Sequence, residues 1–482
     1  MARTLAQLLG GDRVDGSVNI TGLTADSRTV QKGDLFVAIP GGRVDGRTYI
    51  DMAINAGASA ILATPGADLA GYHVPVVEDA NPRRRYAELA ATFCGAQPKT
   101  QVAVTGTNGK TSVADFVRQL WQLLGVEAAS IGTLGVRSSK YQLPGGLTTP
   151  DPMELHKALH TLFGMNIEHV AIEASSHGLD QHRLDGVRFK AGAFTNLTRD
   201  HLDYHKTEQS YFYAKARLFG ELLLPGDGAV INIDSQWGSI LDDIAWGRGL
   251  QKITVGRADR ANLRLCDQRV LPSGQEIDFL FNGTSNSVQL PLVGEFQAEN
   301  ALLAAALIIV LGGNAEKCFT LLSQLSGVPG RMEFIGKSAS GGAVYVDYAH
   351  TPGGLETVLK AAKAHNPMKL HVVFGCGGDR DKGKRPQMGQ VAAEIADVIY
   401  VTDDNPRTEN ADQIRKEILI AAAGAVEISD RQGAIESAIS TLHEGDMLII
   451  AGKGHEEGQI VGSDVLPFSD INVVKAILAS GG

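Results

Sequence analysis

Residues 106 to 112, Gly-Thr-Asn-Gly-Lys-Thr-Ser, combine glycines, an amine and hydroxyl side chains in one short run. Between a strand and a helix, such a run aims backbone N–H groups at an anion. Lys110 then neutralises terminal phosphate charge, and the Thr111 hydroxyl suits Mg2+. The usual spelling, G-x-x-x-x-G-K-[ST], is met at Gly109, Lys110 and Thr111, but Val104 stands where the first glycine belongs. Farther along, Glu173 closes the apolar run Val170-Ala171-Ile172. A carboxylate at a strand end beside a phosphate loop is placed for Mg2+, which takes few protein oxygens. Taken alone, Glu173 reads equally as a helix-capping or salt-bridged residue. "TNLTRDHLDYH" then packs Asp200, His201, Asp203 and His205 together. His201 is the expected metal ligand, while Asp203 and His205 singly fit a hydrogen-bonded turn. Lys215 is flanked by Tyr211, Phe212, Tyr213, Leu218 and Phe219. An apolar pocket there would depress its pKa, the condition for a nucleophilic amine; the alternative is a lysine snorkelling from an aromatic helix face.

The elements needed to hold these residues are legible around them. Val102-Ala103-Val104 reads as a short strand, and Ser112 to Leu124 carries helical apolar spacing through Val113, Phe116, Val117, Leu120 and Leu124. Strand-like runs then alternate with helical patterns at "VAIEASSHG", "AGAFTNLTRDH" and "AVINID". A second series runs through "VYVDYAH", "LHVVFGCGGDRDKGKRP", "VIYVTDDNPR" and "MLIIAGKGHEEG". Such alternation predicts α/β domains on mostly parallel sheets, with ligands beyond the carboxyl ends of the strands. The expected architecture has a small N-terminal α/β module over 1–97 and a central P-loop ATPase-like domain over 98–330. A C-terminal Rossmann-like domain follows over 331–482, with a hinge at Gly327, Pro329 and Gly330.

A chain of 482 residues fits about three domains. A formal charge of −10 argues against a nucleic-acid surface. Cys94, Cys266, Cys318 and Cys376 lack zinc or disulfide spacing, as suits a reducing cytosol. The N-terminal stretch has no long apolar core, and Ala301 to Leu311 is too short to span a bilayer. A cytoplasmic location with no membrane insertion is expected.

In order, "TGTNGKTS", "EASSHGLDQHR", "TNLTRDHLDYH", "YFYAKARLF", "GEFQAENALLAAA", "GRME", "DYAHTP", "GCGGDRDKGKRP", "DDNPR" and "AGKGHE" resemble the Mur ligases over essentially the whole chain. In that family the loop begins without its first glycine, so Val104 is normal. The resemblance implies a cytoplasmic monomer of three domains, holding a UDP-sugar, ATP and an amino acid in turn. It implies ATP-dependent amide ligation in peptidoglycan precursor synthesis, with meso-diaminopimelate joined to the D-glutamate γ-carboxylate of UDP-N-acetylmuramoyl-L-Ala-D-Glu through an acyl phosphate. Carried over by position, nucleotide-sugar contacts fall on Ala25, Ser27, Gly42, Arg43, Val44, Thr148, Thr149, Ser175, Gln181 and Arg183. ATP contacts fall on Gly106, Thr107, Asn108, Gly109, Lys110, Thr111, Ser112, Asn300, Arg331 and Asp347. Asn300 reads on its own as a helix-start amide, and Arg331 reaches the γ-phosphate when the domains close. Mg2+ falls to Thr111, Glu173, His201 and Lys215, the last as a CO2-derived carbamate. Lys110, Lys215 and His350 are the catalytic set, with His350 one choice for the base that deprotonates the amine.

The amino-acid contacts fall on Arg380, Asp404, Asn405, Pro406, Arg407, Gly452 and Glu456. Arg407 offers a planar fork for the far carboxylate of diaminopimelate; the alternative pairs it with Asp403 or Glu409 at the surface. A P-loop phosphotransferase would need the loop but not the second strand series, and a nucleotide-gated binding module would hydrolyse ATP slowly without an amine dependence. Folylpolyglutamate synthases share the loop, but "DNPR" and the N-terminal "ADSR" module argue against them.

Overall fold

The strand Thr100–Thr105 is buried almost throughout and lies in the middle of an eleven-stranded sheet. The computed structural model describes residues 2–11, 17–41, 45–66, 71–271 and 274–480. Gly42, Arg43 and Val44 lie outside them. Parallel neighbours His169–Glu173 and Phe189–Phe194 flank Thr100–Thr105, and Ala128–Gly132, Gly228–Asn232 and Gln251–Gly256 extend the parallel set. The sheet turns antiparallel at both edges, through Gly135–Ser138 on one side and Gly274–Phe281 with Thr284–Leu290 on the other. One face packs against helices Lys110–Leu123 and Phe296–Val310, the other against Pro152–Gly164 and Glu208–Arg217. Phe116, Val117 and Leu120 are fully buried, each such side chain contributing about 1.5–3 kcal/mol. The expected helix from Ser112 begins two residues earlier, at Lys110.

Two further sheets flank this one. Near the N-terminus, Gly22–Thr24, Asp34–Val37, Ala60–Ala63 and Val76–Glu78 form four parallel strands. Their helix Pro82–Cys94 packs on Pro152–Gly164, where the Tyr86 hydroxyl donates to Asp151 Oδ1 at 2.7 Å. Near the C-terminus, Ala343–Asp347, Met447–Ala451, Leu370–Phe374, Val398–Val401 and Val426–Glu427 are parallel, with antiparallel Glu333–Lys337 at one edge. A separate hairpin, Gly458–Val461 with Asp464–Pro467, leans over the carboxyl ends of these strands. The carboxyl ends of the middle and C-terminal sheets face each other.

Candidate active site

The loop between Thr105 and Lys110 turns on Gly109, whose φ of 85° is left-handed. A Cβ there would overlap Asn300 Oδ1, so glycine is required twice over, by conformation and by space. Lys110 Nζ donates to the carbonyls of Gly106 at 3.0 Å and Thr107 at 2.7 Å, folding its cation over the loop. Thr111 Oγ1 donates to Glu173 Oε2 at 2.9 Å, and Arg331 Nη2 donates to Thr111 Oγ1 at 3.0 Å. Glu173 is held from behind by the Thr133 amide at 2.8 Å and hydroxyl at 3.2 Å. Thus Thr111, Glu173 and Arg331 converge across the joint that the sequence places at Gly327–Gly330. Asn300 sits five residues beyond the cap Glu295 of its helix, so it is not a helix-start amide; its Nδ2 donates to Gln297 Oε1 at 3.0 Å.

Lys215 is 1 % exposed. Its Nζ donates to the Gly106 carbonyl at 2.7 Å and lies 4.3 Å from the centre of the Tyr211 ring. Among the described residues it has no carboxylate partner. Burial, and then the Lys110 charge, push its pKa well down, with Asp200 opposing. The snorkelling alternative is thereby excluded, because the amine stays inside. Asp200 is held low although burial works to raise it, since His201, His350 and Lys110 together outweigh the burial. His201 lies 3.4 Å from Asp200 and takes a left-handed φ of 53°, uncommon outside glycine and typical of functional strain. Burial first, against the attraction of Asp200, lowers its pKa to about 4.

Five of the expected sugar-substrate residues meet at one place. Thr149 Oγ1 donates to the Glu173 carbonyl at 2.8 Å and lies 3.0 Å from Ser175 Oγ. Arg183 donates to the Thr149 carbonyl and to Gln181 Oε1, both at 2.7 Å, while Thr148 Oγ1 lies 3.1 Å from Thr133 Oγ1. Ala25 and Ser27 lie after the strand Gly22–Thr24, and among the described residues no hydrogen bond joins them to that group.

The loop after Val398–Val401 carries Asp404, Asn405, Pro406 and Arg407, while Arg380 follows Leu370–Phe374, and Gly452 and Glu456 follow Met447–Ala451. Arg407 has a left-handed φ of 52°, and its Nη1 donates to the Gly378 carbonyl at 2.8 Å. Among the described residues it has no ion pair. Asp403 pairs instead with Arg415, and Glu409 with Arg385 and Lys382, so the surface-pair alternative fails. Burial first, then Arg380, lower the Arg407 pKa, while Asp404, Glu456 and Asp379 oppose from beyond ion-pair distance. Asn405 Nδ2 donates to Glu456 Oε2 at 3.0 Å, and Gly452 N donates to the Asp347 carbonyl at 3.1 Å. Asp347 in turn accepts from the amides of Met332 and Ala349, both at 2.7 Å.

A cavity of about 380 Å³ lies between the facing strand ends, with Asp200 and His201 on one wall and His350, Arg380, Arg407 and Glu456 on the other. A second, of about 680 Å³, opens beside it under Gly135–Ser138 and shares Tyr348, Asn405, Arg407 and Glu456. Sequence reasoning passed over Tyr348, which carries Arg331 at 4.4 Å and the rings of His350 and His455 at 4.7 and 5.3 Å. It also passed over Thr133. Neither carries a local signal, since a tyrosine after an apolar strand reads as packing. Among the described residues no three His, Cys, Asp or Glu side chains group as a metal site. The donors present instead, one hydroxyl and one carboxylate beside an anion-binding loop, match Mg2+ bridging to phosphate. The Lys215 amine, low in pKa and without an acid partner, suits uptake of CO2.

Three family models match the chain: Mur ligase family catalytic domain at 19–94, Mur ligase middle domain at 104–308 and Mur ligase glutamate ligase domain at 330–454. The chain is 50% identical to a UDP-N-acetylmuramoyl-L-alanyl-D-glutamate–2,6-diaminopimelate ligase of Bradyrhizobium diazoefficiens, covering 99% of each chain. It is 50% identical to the protein of the same name from Brucella melitensis, over 96% of this chain and 95% of the relative. A solved structure of a ligase of that name superposes with a TM-score of 0.71 at 32% identity, covering 100% of this chain and 99% of that one.

Proposed function

The chain belongs to the Mur ligase family, and we propose that it joins meso-diaminopimelate to the D-glutamate γ-carboxylate of UDP-N-acetylmuramoyl-L-Ala-D-Glu at the expense of ATP. One observation carries the choice of amino acid. Arg407 is a partly buried guanidinium with no carboxylate partner among the described residues, facing a cavity whose other wall belongs to the phosphate-loop domain. A second carboxylate on the incoming amino acid would supply the missing anion.

A carboxylate does not accept an amine at neutral pH, so the γ-carboxylate must first attack the γ-phosphate of ATP, giving an acyl phosphate and ADP. Lys110 lies over the loop to receive the developing phosphate charge, and Arg331 approaches from the other domain. Thr111, Glu173 and His201 would hold Mg2+, with Lys215 as a carbamate, and the metal would supply charge neutralisation along the phosphates. The sugar substrate lies along Thr148, Thr149, Ser175, Gln181 and Arg183, extending toward Ala25 and Ser27. Asn300 and Asp347 border the nucleotide. In the second step the amine attacks the acyl carbon and phosphate leaves. His350 takes the amine proton: its Nδ1 lies 2.9 Å from the Tyr348 carbonyl, so Nδ1 carries the hydrogen and Nε2 keeps its lone pair. Arg407, with Arg380 beside it, grips the far carboxylate. Glu456 holds the distal ammonium, with Asn405 orienting its carboxylate and Asp404, Pro406 and Gly452 shaping the turn.

Phosphate release tests this reading. It should require the UDP-dipeptide and diaminopimelate together, and lysine should be poorer by about a thousandfold, because it leaves the Arg407 charge unmatched. Arg407→Ala should abolish that preference while leaving ATP and UDP-dipeptide affinities near normal. Comparable turnover of lysine and diaminopimelate by the unmutated enzyme overturns the assignment.

A further inference from the structure

Lys453 is fully buried, and the mechanism gives it no task. Its Nζ donates to Asn405 Oδ1 and to the Gly458 carbonyl, each at 2.8 Å, and lies 3.6 Å from Glu456 Oε2. Asn405 Oδ1 accepts a second bond, from the Ile460 amide at 2.9 Å. An ammonium and a backbone amide only donate, so the oxygen of the Asn405 side chain must face them both. Its Nδ2 is then forced toward Glu456 Oε2, which it reaches at 3.0 Å. That leaves Glu456 Oε1 free of both groups.

The same lysine anchors the hairpin Gly458–Val461 with Asp464–Pro467. Gln459 Nε2 donates to the Asp404 carbonyl at 2.7 Å, and the Arg407 amide donates to the Ile460 carbonyl at 3.0 Å. Gly462 closes the circuit by donating to the Arg407 carbonyl at 2.8 Å. The guanidinium and the carboxylate that select the substrate therefore hang on one frame, with Lys453 at its centre.

We infer that Lys453 is a positioning residue for amino-acid selection: it fixes the direction of the Asn405 amide and the height of the hairpin, and so sets the span between Arg407 and Glu456. This rests on the reading of Arg407 and Glu456 as the two ends of the diaminopimelate site. A span set by a buried clamp, rather than by mobile side chains, distinguishes an amino acid carrying both an ammonium and a carboxylate at its far end.

The test measures Lys453→Met against the unmutated enzyme, following KM for each of the three substrates and the diaminopimelate-to-lysine ratio of kcat/KM. The lost donor leaves Asn405 Oδ1 and the Gly458 carbonyl short of a partner, so KM for diaminopimelate should rise on the order of tenfold to a hundredfold. ATP and UDP-dipeptide KM values should stay within about twofold, and preference over lysine should fall in parallel. Lys453→Arg, which keeps charge and donors, should recover part of the preference. Should Lys453→Met fail to fold, Lys453→Gln, which keeps a neutral donor in the same place, must give the same signature in weaker form. An unmutated enzyme indifferent to diaminopimelate sinks the functional reading beneath. A diaminopimelate-dependent enzyme whose variants keep KM and preference unchanged sinks the assignment of Lys453 alone.

Discussion

Two lysines share the Gly106 carbonyl, and their different surroundings give them different chemistry. Burial lowers the pKa of both; at Lys110 the charges of Glu173 and Asp200 oppose it, whereas at Lys215 the Lys110 charge adds to it and Asp200 alone opposes. A buried amine so disfavoured as a cation suits conversion to an anion, as carbamate formation would supply. Lys215→Ala should therefore lose on the order of a hundredfold or more in ligation, with short carboxylic acids restoring part of it by filling the vacated anion position. Wild-type rates in the unrescued variant would remove the role. His350 offers a pH test. Burial first, then Lys384 and Arg331, lower its pKa from near 6.5, while Asp200 and the Tyr348 backbone oppose. Tyr348 and Asp404 are its other ionisable neighbours. Since the base acts when neutral, activity is retained above its lowered pKa and lost as pH falls through it. The acid limb of acyl transfer should thus lie below 6.5, and His350→Gln should slow this step without slowing acyl-phosphate formation. An unchanged limb in the variant would assign the proton to another group.

At the scale of elements, the loop depends on how closely Phe296–Val310 approaches it. Asn300 fills the space a Cβ would need at Gly109, and the left-handed φ adds a steric penalty of about 1–2 kcal/mol for any other residue. Gly109→Ala should weaken ATP binding at least tenfold by calorimetry while leaving the other substrates' affinities unaltered. An unaffected nucleotide affinity would show that the loop adapts. The loop itself was legible because β-branched residues precede it and helical spacing follows it, and each later strand end announced its polar cluster the same way. Less was legible where the signal is not local. Thr284–Leu290 is largely exposed and polar, so its place at the sheet edge comes from pairing with Gly274–Phe281. The same holds for Lys453 and Asn405, which are 48 positions apart and meet across the end of Leu370–Phe374, the strand that lies between theirs. Arg407 was visible as a residue, but its lack of a partner was not, because that depends on Arg415, Arg385 and Lys382 occupying the neighbouring acids.

For the whole molecule, Arg331 ties the C-terminal domain to the phosphate loop through Thr111, and Gly330 beside it has a left-handed φ of 64° that brings the chain against the His455 backbone. The joint is therefore bridged by a side chain that the proposed reaction also uses. Arg331→Ala should lower kcat by about a hundredfold or more and raise the radius of gyration in solution scattering as the two sheets part. A lower rate without any change in scattering would assign Arg331 to the phosphate alone.

The two cavities share one wall, made of Tyr348, Asn405, Arg407 and Glu456. A single molecule shaped to straddle that wall would occupy both chambers, and its two halves would act as one ligand with a high effective concentration for each other. Resistance through the shared wall would then be self-limiting. A substitution that repels such an inhibitor there also removes a group that the proposed reading gives to the incoming amino acid, which makes the partition between the chambers a better target than either chamber alone.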